Sequence, residues 1–527
     1  MSRIFFNGTI FTADRDEPFV EGLVSDGETI VYVGTAADAF AAAGADAEAV
    51  DLEGRMLMPG IHDAHTHLLA SGVKYLYETR LPPFASADRV VATLAASPAS
   101  TPGVECCAWH VGGEVFPPAA GDLPLTRSQL DEAYPDQPVY LFDYSIHHGV
   151  ANSTALELAG IDEDAEFGHG GVYRRDGSGR LTGELIEEAT WKVLHAIPDR
   201  TAEEYRSALR WAISVCHQFG ITSVQEASAS RQALDAYRDL DDAGELDLHV
   251  AAHLVWRNEG FGMGTAAELD AHLANAEQWR TRHLDPGFVK IWIDGAPLPP
   301  VPTHATLDEN GRVDGSWLLV AEDALADILT TFDAAGRTVK VHCAGEGAVR
   351  TCLNALKTVR SRNGAGVPHE VAHAGFVADD DFARFTEVDA TAEMSPALWH
   401  IPEYGLGAGF HFARMVRGGV RMTIGSDWII TPNPNLFPGI QGAVQHATQP
   451  IDLRTALEAV TRVGAEAVGR AHHRGTLGVG KSADFILLDR DLFAVDDDQI
   501  GDAVVLETYV EGRRVYARDA GAPGEGS

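Results

Sequence analysis

The run MLMPGIHDAHTHL sets His65 and His67 one residue apart at the end of an apolar stretch. Side chains at i and i+2 of a strand point to the same face, so both imidazoles can reach one ion. Imidazole is a common ligand of zinc and similar metals. Paired histidines also occur idly on surfaces; the preceding Pro-Gly and the strand-end position favour the metal reading here. Four later strand-like runs supply compatible groups: FVKIWIDGA carries Lys290, TVKVHCAG ends with His342, HEVAHAG with His373 and RMTIGSDW with Asp427. Singly, a buried histidine is more often a satisfied core residue. Together, in the order His-x-His, Lys, His, His, Asp, the six predict a metal centre. Lys290 is the odd member, one of only six lysines against 34 arginines. It lies amid Phe288, Val289, Ile291 and Trp292, where an ammonium is costly to bury. Burial lowers a lysine pKa and yields a nucleophilic amine. Such an amine can take up carbon dioxide as a carbamate, an anion able to bridge two metal ions. The alternative is a lysine paired with a buried carboxylate. Lys340, two residues before His342 on the same strand face and so deeper, ranks second for this role.

Residues so far apart must be gathered by the fold. From about Leu57 to about Ala471, strand-like runs (ITSVQEA, LHVAAHLVW, FVKIWIDGA, TVKVHCAG, HEVAHAG, DATAEMSP, RMTIGSD) alternate with amphipathic helices such as EEYRSALRWAISVCHQFG and AEDALADILTTFDAAG. That rhythm means a parallel sheet, and eight such units would close an α/β barrel whose C-terminal rim is where sites are built. The stretch from about 75 to 200, rich in Pro and Gly, breaks the rhythm and reads as an insertion after the first barrel strand. Both chain ends are β-rich: RIFFNGTIFTA and GLVSDGETIVYVG at one, ADFILLDRDLF and VVLETYVEGRRVYAR at the other, with Asn7-Gly8, Asp26-Gly27 and Glu511-Gly512 as tight turns. A composite β-sandwich from residues 1–57 and 472–527, around a barrel over 58–471, is the expected organisation. Separate accessory sheets are the alternative. The last residues, AGAPGEGS, read as a loose tail.

The segments PGIHDAHTH, HHGVANSTALELAGI, VKIWIDGAP, VHCAGEGAVRTCLNAL, EVAHAG, GSDW and GTLGVGKSADFILLDRD resemble, in order, those of the metal-dependent amidohydrolase superfamily in its YtcJ-like (amidohydrolase family 3) branch. The resemblance spans nearly the whole chain. It implies a (β/α)8 TIM barrel with a composite β-sandwich. It also implies divalent metal, most naturally one or two zinc ions, held by His65, His67, Lys290 as carbamate, His342, His373 and Asp427. His147 matches a histidine that reaches the pocket from the insertion; a surface or helix-capping histidine is the alternative. Two departures lie near the expected pocket. APLPPVPTHA follows Asp294-Gly295 where many relatives have small residues and an arginine, and Glu346 stands where relatives often carry aspartate. A relative's substrate therefore does not transfer.

The chemistry that follows is hydrolysis of an amide-type C–N bond in an N-substituted amide or formamide, an acylated amine or a cyclic amide. Metal lowers the pKa of bound water toward ~7 and polarises the scissile carbonyl, while Asp427 accepts the water's proton and delivers it to the leaving nitrogen. A mononuclear heterocycle deaminase using His65, His67, His342 and Asp427 is the second reading, and an inactive barrel serving as a binding scaffold the third. Trp109, Trp292, Trp399 and Trp428 are candidate pocket walls or core residues. Glu226 at the end of ITSVQEA is a supporting carboxylate rather than a ligand. GTLGVGKSAD, with Lys481, lacks the full phosphate-loop pattern and reads as a turn.

Composition narrows the partners. The 527 residues carry 77 acidic and 40 basic side chains, a formal charge of −37, with 45% hydrophobic residues. That apolar share excludes disorder. The acidic surface disfavours nucleic acid and anionic membranes and leaves a small-molecule substrate as the expected partner, with a homodimer open. The charge fits either salt adaptation or an Arg- and Ala-rich proteome. No apolar run approaches a membrane span and no basic-then-apolar leader opens the chain, so a cytoplasmic location is expected. Five cysteines (Cys106, Cys107, Cys216, Cys343, Cys352) are too few and too irregular for a disulfide framework or a CxxC zinc site, and read as buried thiols.

Overall fold

Short apolar runs, buried along nearly their whole length, form the central element of the computed structural model, which describes residues 2–82, 85–97, 109–115, 125–143, 145–260, 263–298 and 301–518. Eight parallel strands succeed one another in hydrogen-bonded order: β1 (Ile61–Thr66), β2 (Ile221–Ala229), β3 (His249–Val255), β4 (Leu284–Trp292), β5 (Val339–Cys343), β6 (His369–His373), β7 (Ala390–Met394) and β8 (Arg421–Ile424). Strands covered on both faces read as continuous apolar runs rather than alternating ones. The ring is completed just beyond β8, where the Asp427 and His67 amides bond the His65 and Trp428 carbonyls at 2.7 and 3.2 Å. The structure is therefore a TIM barrel, as expected.

Helices follow the strands on the outside. Ala202–Gln218 shows why they form: Thr201 caps its first turn in a reciprocal box with Glu204, and Ala208, Leu209, Ala212, Ile213 and Cys216 make one buried stripe. That stripe packs into a continuous apolar core with strand residues such as Val224 and Val250.

The two chain ends build one sheet together. Its order is Arg513–Ala517, Val505–Val510, Phe485–Leu488, Met56–Pro59, Ser2–Phe11, Phe19–Asp26 and Thr29–Gly34, with Glu48–Asp51 added beside Ser2–Phe11. It folds over its own core of Phe5, Ile10, Leu23, Leu57, Phe485 and Tyr509. Met56–Pro59 runs straight into β1, so this sheet is tied directly to the strand that carries His65.

The insertion is more than a loop. Six strands (Thr79–Arg80, His110–Val115, Val139–Asp143, His148–Ala151, Leu181–Glu187 and Gly171–Arg175 in sheet order) form a third sheet with its own apolar clusters. Cys216, Cys343 and Cys352 are buried free thiols; Cys106, Cys107 and the last nine residues lie outside the described residues. Lys481 bonds the Ala471 carbonyl and Thr476 hydroxyl, closing a turn of the terminal sheet. Among the described residues no helix is long and apolar enough to cross a membrane.

Candidate metal centre

The barrel rim brings the six side chains to one place. His65 Nδ1 donates to Glu393 Oε2 at 2.6 Å, leaving Nε2 to face Asp427 Oδ1 at 3.8 Å. His67 Nδ1 lies 2.9 Å from the Ser228 hydroxyl, and its Nε2 is 3.4 Å from the same Asp427 oxygen. Across the rim, His342 Nε2 approaches the Gly295 carbonyl at 3.3 Å and His373 Nδ1 the Ser395 carbonyl at 3.1 Å. Those carbonyls can only accept, so an imidazole bonded to one carries its proton on that side, although the Ser395 hydroxyl, 3.2 Å from His373 Nδ1, also offers that nitrogen a donor. In the carbonyl-bonded tautomers the lone pairs of His342 Nδ1 and His373 Nε2 face each other at 3.0 Å. Two acceptors at that distance repel unless a cation lies between them. Two ligands about 2.0–2.1 Å from a tetrahedral ion stand roughly 3.3 Å apart, so the 3.0–3.8 Å spacings suit metal.

Reaching this geometry strains the chain. His373 (φ 68°), Ala374 (φ 40°) and Asp427 (φ 54°) hold left-handed backbone that non-glycine residues rarely adopt. Close approach demands glycine at 425, where a Cβ would stand 2.6 Å from the His65 nitrogen.

Electrostatics favour neutral His65, His342 and His373, the form a metal requires. Burial, reinforced by the Lys290 charge, holds His65 well below the usual histidine range; burial also lowers His342, and takes His373 to about 3. Asp427 is pushed up by burial, but the neighbouring His67 and His373 imidazoles hold it below its ordinary value. Lys290 acts on all four of these groups. Its own amine falls to about 8, chiefly through burial and secondly through the Lys340 charge. Among the described residues it has no carboxylate within 4.0 Å; its ammonium lies 5.1 Å from the Trp292 ring centre. Depth does not separate the two lysines, because the β4–β5 ladder sets Lys340 directly opposite Lys290. Partners do. Lys340 donates to the Ala64 carbonyl at 2.7 Å and pairs with Glu370 at 3.0 Å, so it is the lysine with a buried carboxylate.

A cavity of about 300 Å³ opens above the cluster, walled by Val73, Phe142, Ile146, Leu194, Met263 and Trp292. His147 reaches it from the insertion, held by Glu187 at 2.9 Å, and its ring lies 5.8 Å from that of His342. Glu187 itself sits at φ 52° and is also bonded by the Thr303 hydroxyl. Two of the tryptophans belong elsewhere. Trp109, just before the strand His110–Val115, packs in the insertion's core with Val111 and Tyr140 rather than lining the cavity. Trp399 lies against Phe410 and Phe412 with its indole N–H on the Gly439 carbonyl. Trp428 is likewise buried, beside Tyr75 and Trp211.

With this geometry in view, the family match is direct: the amidohydrolase family model covers residues 48–516. The chain belongs to the amidohydrolase family. It is 26% identical over 98% of its length to the N-substituted formamide deformylase of Arthrobacter pascens, covering 98% of that protein. It is 25% identical over 90% of its length to the putative amidohydrolase YtcJ of Bacillus subtilis, covering 91% of it. A solved metal-dependent hydrolase from Pyrococcus horikoshii shares the fold with a TM-score of 0.70, at 23% identity over 95% of this chain and all of that one. This amidohydrolase is thus a hydrolase of carbon–nitrogen bonds, from a metal-dependent superfamily.

Sequence reasoning missed the carboxylates behind the ligands of this amidohydrolase. Glu393 backs His65. Asp63 accepts the His65 and Ser426 amides and the Ser426 hydroxyl at 2.5–3.1 Å, linking β1 to the Asp427 loop. Asp294 accepts the Ala305, Ala344 and Gly345 amides at 2.9–3.1 Å beside His342. Burial raises each of the three to about 7. The available signal was an acid inside an otherwise apolar strand, as in ATAEM. Glu226 accepts the Leu68 amide and the Tyr237 hydroxyl, steadying the turn after His67.

Proposed function

We propose that this chain hydrolyses an amide-type bond in a small, largely apolar substrate, in the class of N-substituted formamides, acylated amines or cyclic amides, using zinc at the rim cluster. The observation that carries the reading is the pair of facing lone pairs on His342 and His373, set across the rim from His65, His67 and Asp427. Neutral buried imidazoles and a carboxylate form a donor set that suits zinc. Lys290, an amine with no carboxylate partner amid four ligands, adds to carbon dioxide with loss of a proton, and its carbamate serves both halves of the cluster. When bound, the ions acidify water and polarise the scissile carbonyl.

The chain's own groups do the rest. Asp427, ionised and 3.4 Å from His67, takes the proton of the attacking water and delivers it to the departing nitrogen. His147, fixed by Glu187, meets the substrate's carbonyl side, and Trp292 and its apolar neighbours take the nitrogen substituent. The Arthrobacter relative's activity on N-substituted formamides supports placing that class first.

The test pairs anomalous diffraction from zinc-loaded protein with a hydrolysis panel. Two ions at the rim, lost in Lys290→Ala, and turnover of at least one amide class are expected. Asp427→Asn should keep the fold and most of the metal and lose about 10²–10⁴-fold in turnover. A single rim ion indifferent to Lys290→Ala, or metal-replete protein inert toward amides, lactams and esters alike, would overturn the reading.

A further inference from the structure

A second cluster of metal-type side chains lies at the opposite end of the barrel, where the terminal sheet caps its floor. His249 is the first residue of β3 and His283 immediately precedes β4. Glu511 sits in the turn between Val505–Val510 and Arg513–Ala517 of the terminal sheet. One ligand atom from each of the three lies within 4.8 Å of the others.

Both histidines have a carboxylate of their own. Asp241 accepts the His283 backbone amide at 2.8 Å and takes its Nδ1 at 2.6 Å. That bond leaves Nε2 facing Glu511 Oε2 at 3.3 Å. Asp484 Oδ2 stands 3.3 Å from His249 Nε2, yet the two are not aligned for a hydrogen bond. Asp484 is itself fixed by the Glu511 amide at 2.7 Å. His249 is only 5% exposed, and among the described residues neither of its ring nitrogens has a hydrogen-bond partner. A buried imidazole does not stay unpaired without a reason. Carboxylates held behind histidines are the usual support of metal-ligating imidazoles, and 3.3 Å is the edge between two ligands of a tetrahedral ion.

A hydrogen-bonded ion pair is the competing account, since Arg282 also reaches Glu511 at 2.6 Å. It explains His283 but gives His249 only the misaligned Asp484 contact. The Arg282 side chain is 56% exposed and has Glu28 at 2.7 Å as a second partner, so it can give up Glu511 without being left unpaired. Around the cluster and its adjoining cavity, Asp241, Asp484, Glu511, Glu28 and Asp285 face Arg282, Arg474, Arg280 and Arg470, so carboxylates hold a narrow excess over guanidiniums. A cavity of about 390 Å³ adjoins the cluster and gives an ion its entry.

We infer that His249, His283 and Glu511 form a second, zinc-type divalent-cation site, distinct from the rim centre, that clasps the terminal sheet to the barrel floor. Because the ligands come from both parts, an ion there stabilises their docking.

Anomalous diffraction at the zinc edge on the full chain, with zinc alone as the probe, tests this directly. A peak among His249, His283 and Glu511 is expected, and it should persist in Lys290→Ala, where the rim reading predicts loss. In solution, His283→Ala and Glu511→Gln should each bind one zinc fewer than wild type by chelator competition, leave amide turnover unchanged and reduce the zinc-dependent rise in melting temperature. No floor peak in wild-type crystals whose rim ions are occupied would overturn the inference, whatever the variants do. So would equal zinc content in wild type and both variants.

Discussion

Glu393→Gln is the sharpest probe of how the rim is held. Glu393 and His65 are both fully buried and joined at 2.6 Å, so the carboxylate fixes the tautomer and raises the basicity of the ring's other nitrogen. Glutamine keeps the shape and one carbonyl acceptor but removes the charge. Lys340, 3.7 Å away, keeps its closer Glu370 partner and is not orphaned. What disappears is the difference between a charge-assisted and a neutral hydrogen bond. Removing such a partner typically weakens metal binding about 10–100-fold, equivalent to roughly 1.4–2.7 kcal/mol. The retained acceptor sets the expectation toward the lower end. Zinc affinity would be read by chelator competition, and kcat/KM at limiting and at saturating zinc. Weakened affinity with turnover recovered at saturating zinc supports the assignment. Unchanged zinc affinity in a folded Glu393→Gln protein would refute it.

Two further outcomes follow from buried geometry. Gly425→Ala drives a Cβ against the His65 backbone and should cost about 1–3 kcal/mol by denaturant titration, together with weaker zinc binding. Gly44→Ala, in open space, should change stability by less than about 0.5 kcal/mol. Glu370 gives a pH signature: burial alone would raise it, but Lys340 and His253 hold it at about 2 against an ordinary 4.5. A depressed carboxylate stabilises the fold fully above the unfolded value and loses that contribution as pH falls through the folded one. About 3 kcal/mol is at stake. The urea midpoint of wild type should therefore fall more steeply from pH 5 toward pH 2 than that of Glu370→Gln, and parallel slopes would contradict the pairing.

The six rim residues were legible because each lies at or near the end of a run that reads clearly as a strand. Once eight such runs are placed in a barrel, their last residues must meet at one rim. The family segments agreed with the barrel and the composite sheet already read from the strand–helix rhythm and the β-rich ends. The tryptophans were not legible, since a ring near a strand end packs inward or outward according to which sheet the strand joins. Trp109 illustrates this: the strand just after it belongs to the insertion, whose pairings are non-local and include a strand as short as Thr79–Arg80. Lys290 and Lys340 looked alike for a similar reason. Both occupy apolar strands, and only the three-dimensional position of Glu370 tells a paired lysine from an unpaired one.

Beneath the rim lies a buried polar lattice, Asp63, Lys340, Glu370 and Glu393, in a fold whose stability comes from apolar burial. Hydrophobic replacements of similar volume would fold as well or better, because burying ion pairs is at best nearly neutral for stability. The lattice makes sense through what it orients. Lys340 spans the barrel to the carbonyl of Ala64, next to His65; Glu393 fixes that histidine's ring; Asp63 ties its amide to Ser426, the neighbour of Asp427. The two ligands with left-handed backbone, His373 and Asp427, need such bracing, since each stores strain that would relax by moving the side chain off the cluster. Polar burial here is therefore a cost in stability that sets ligand position to the fraction of an ångström metal binding demands.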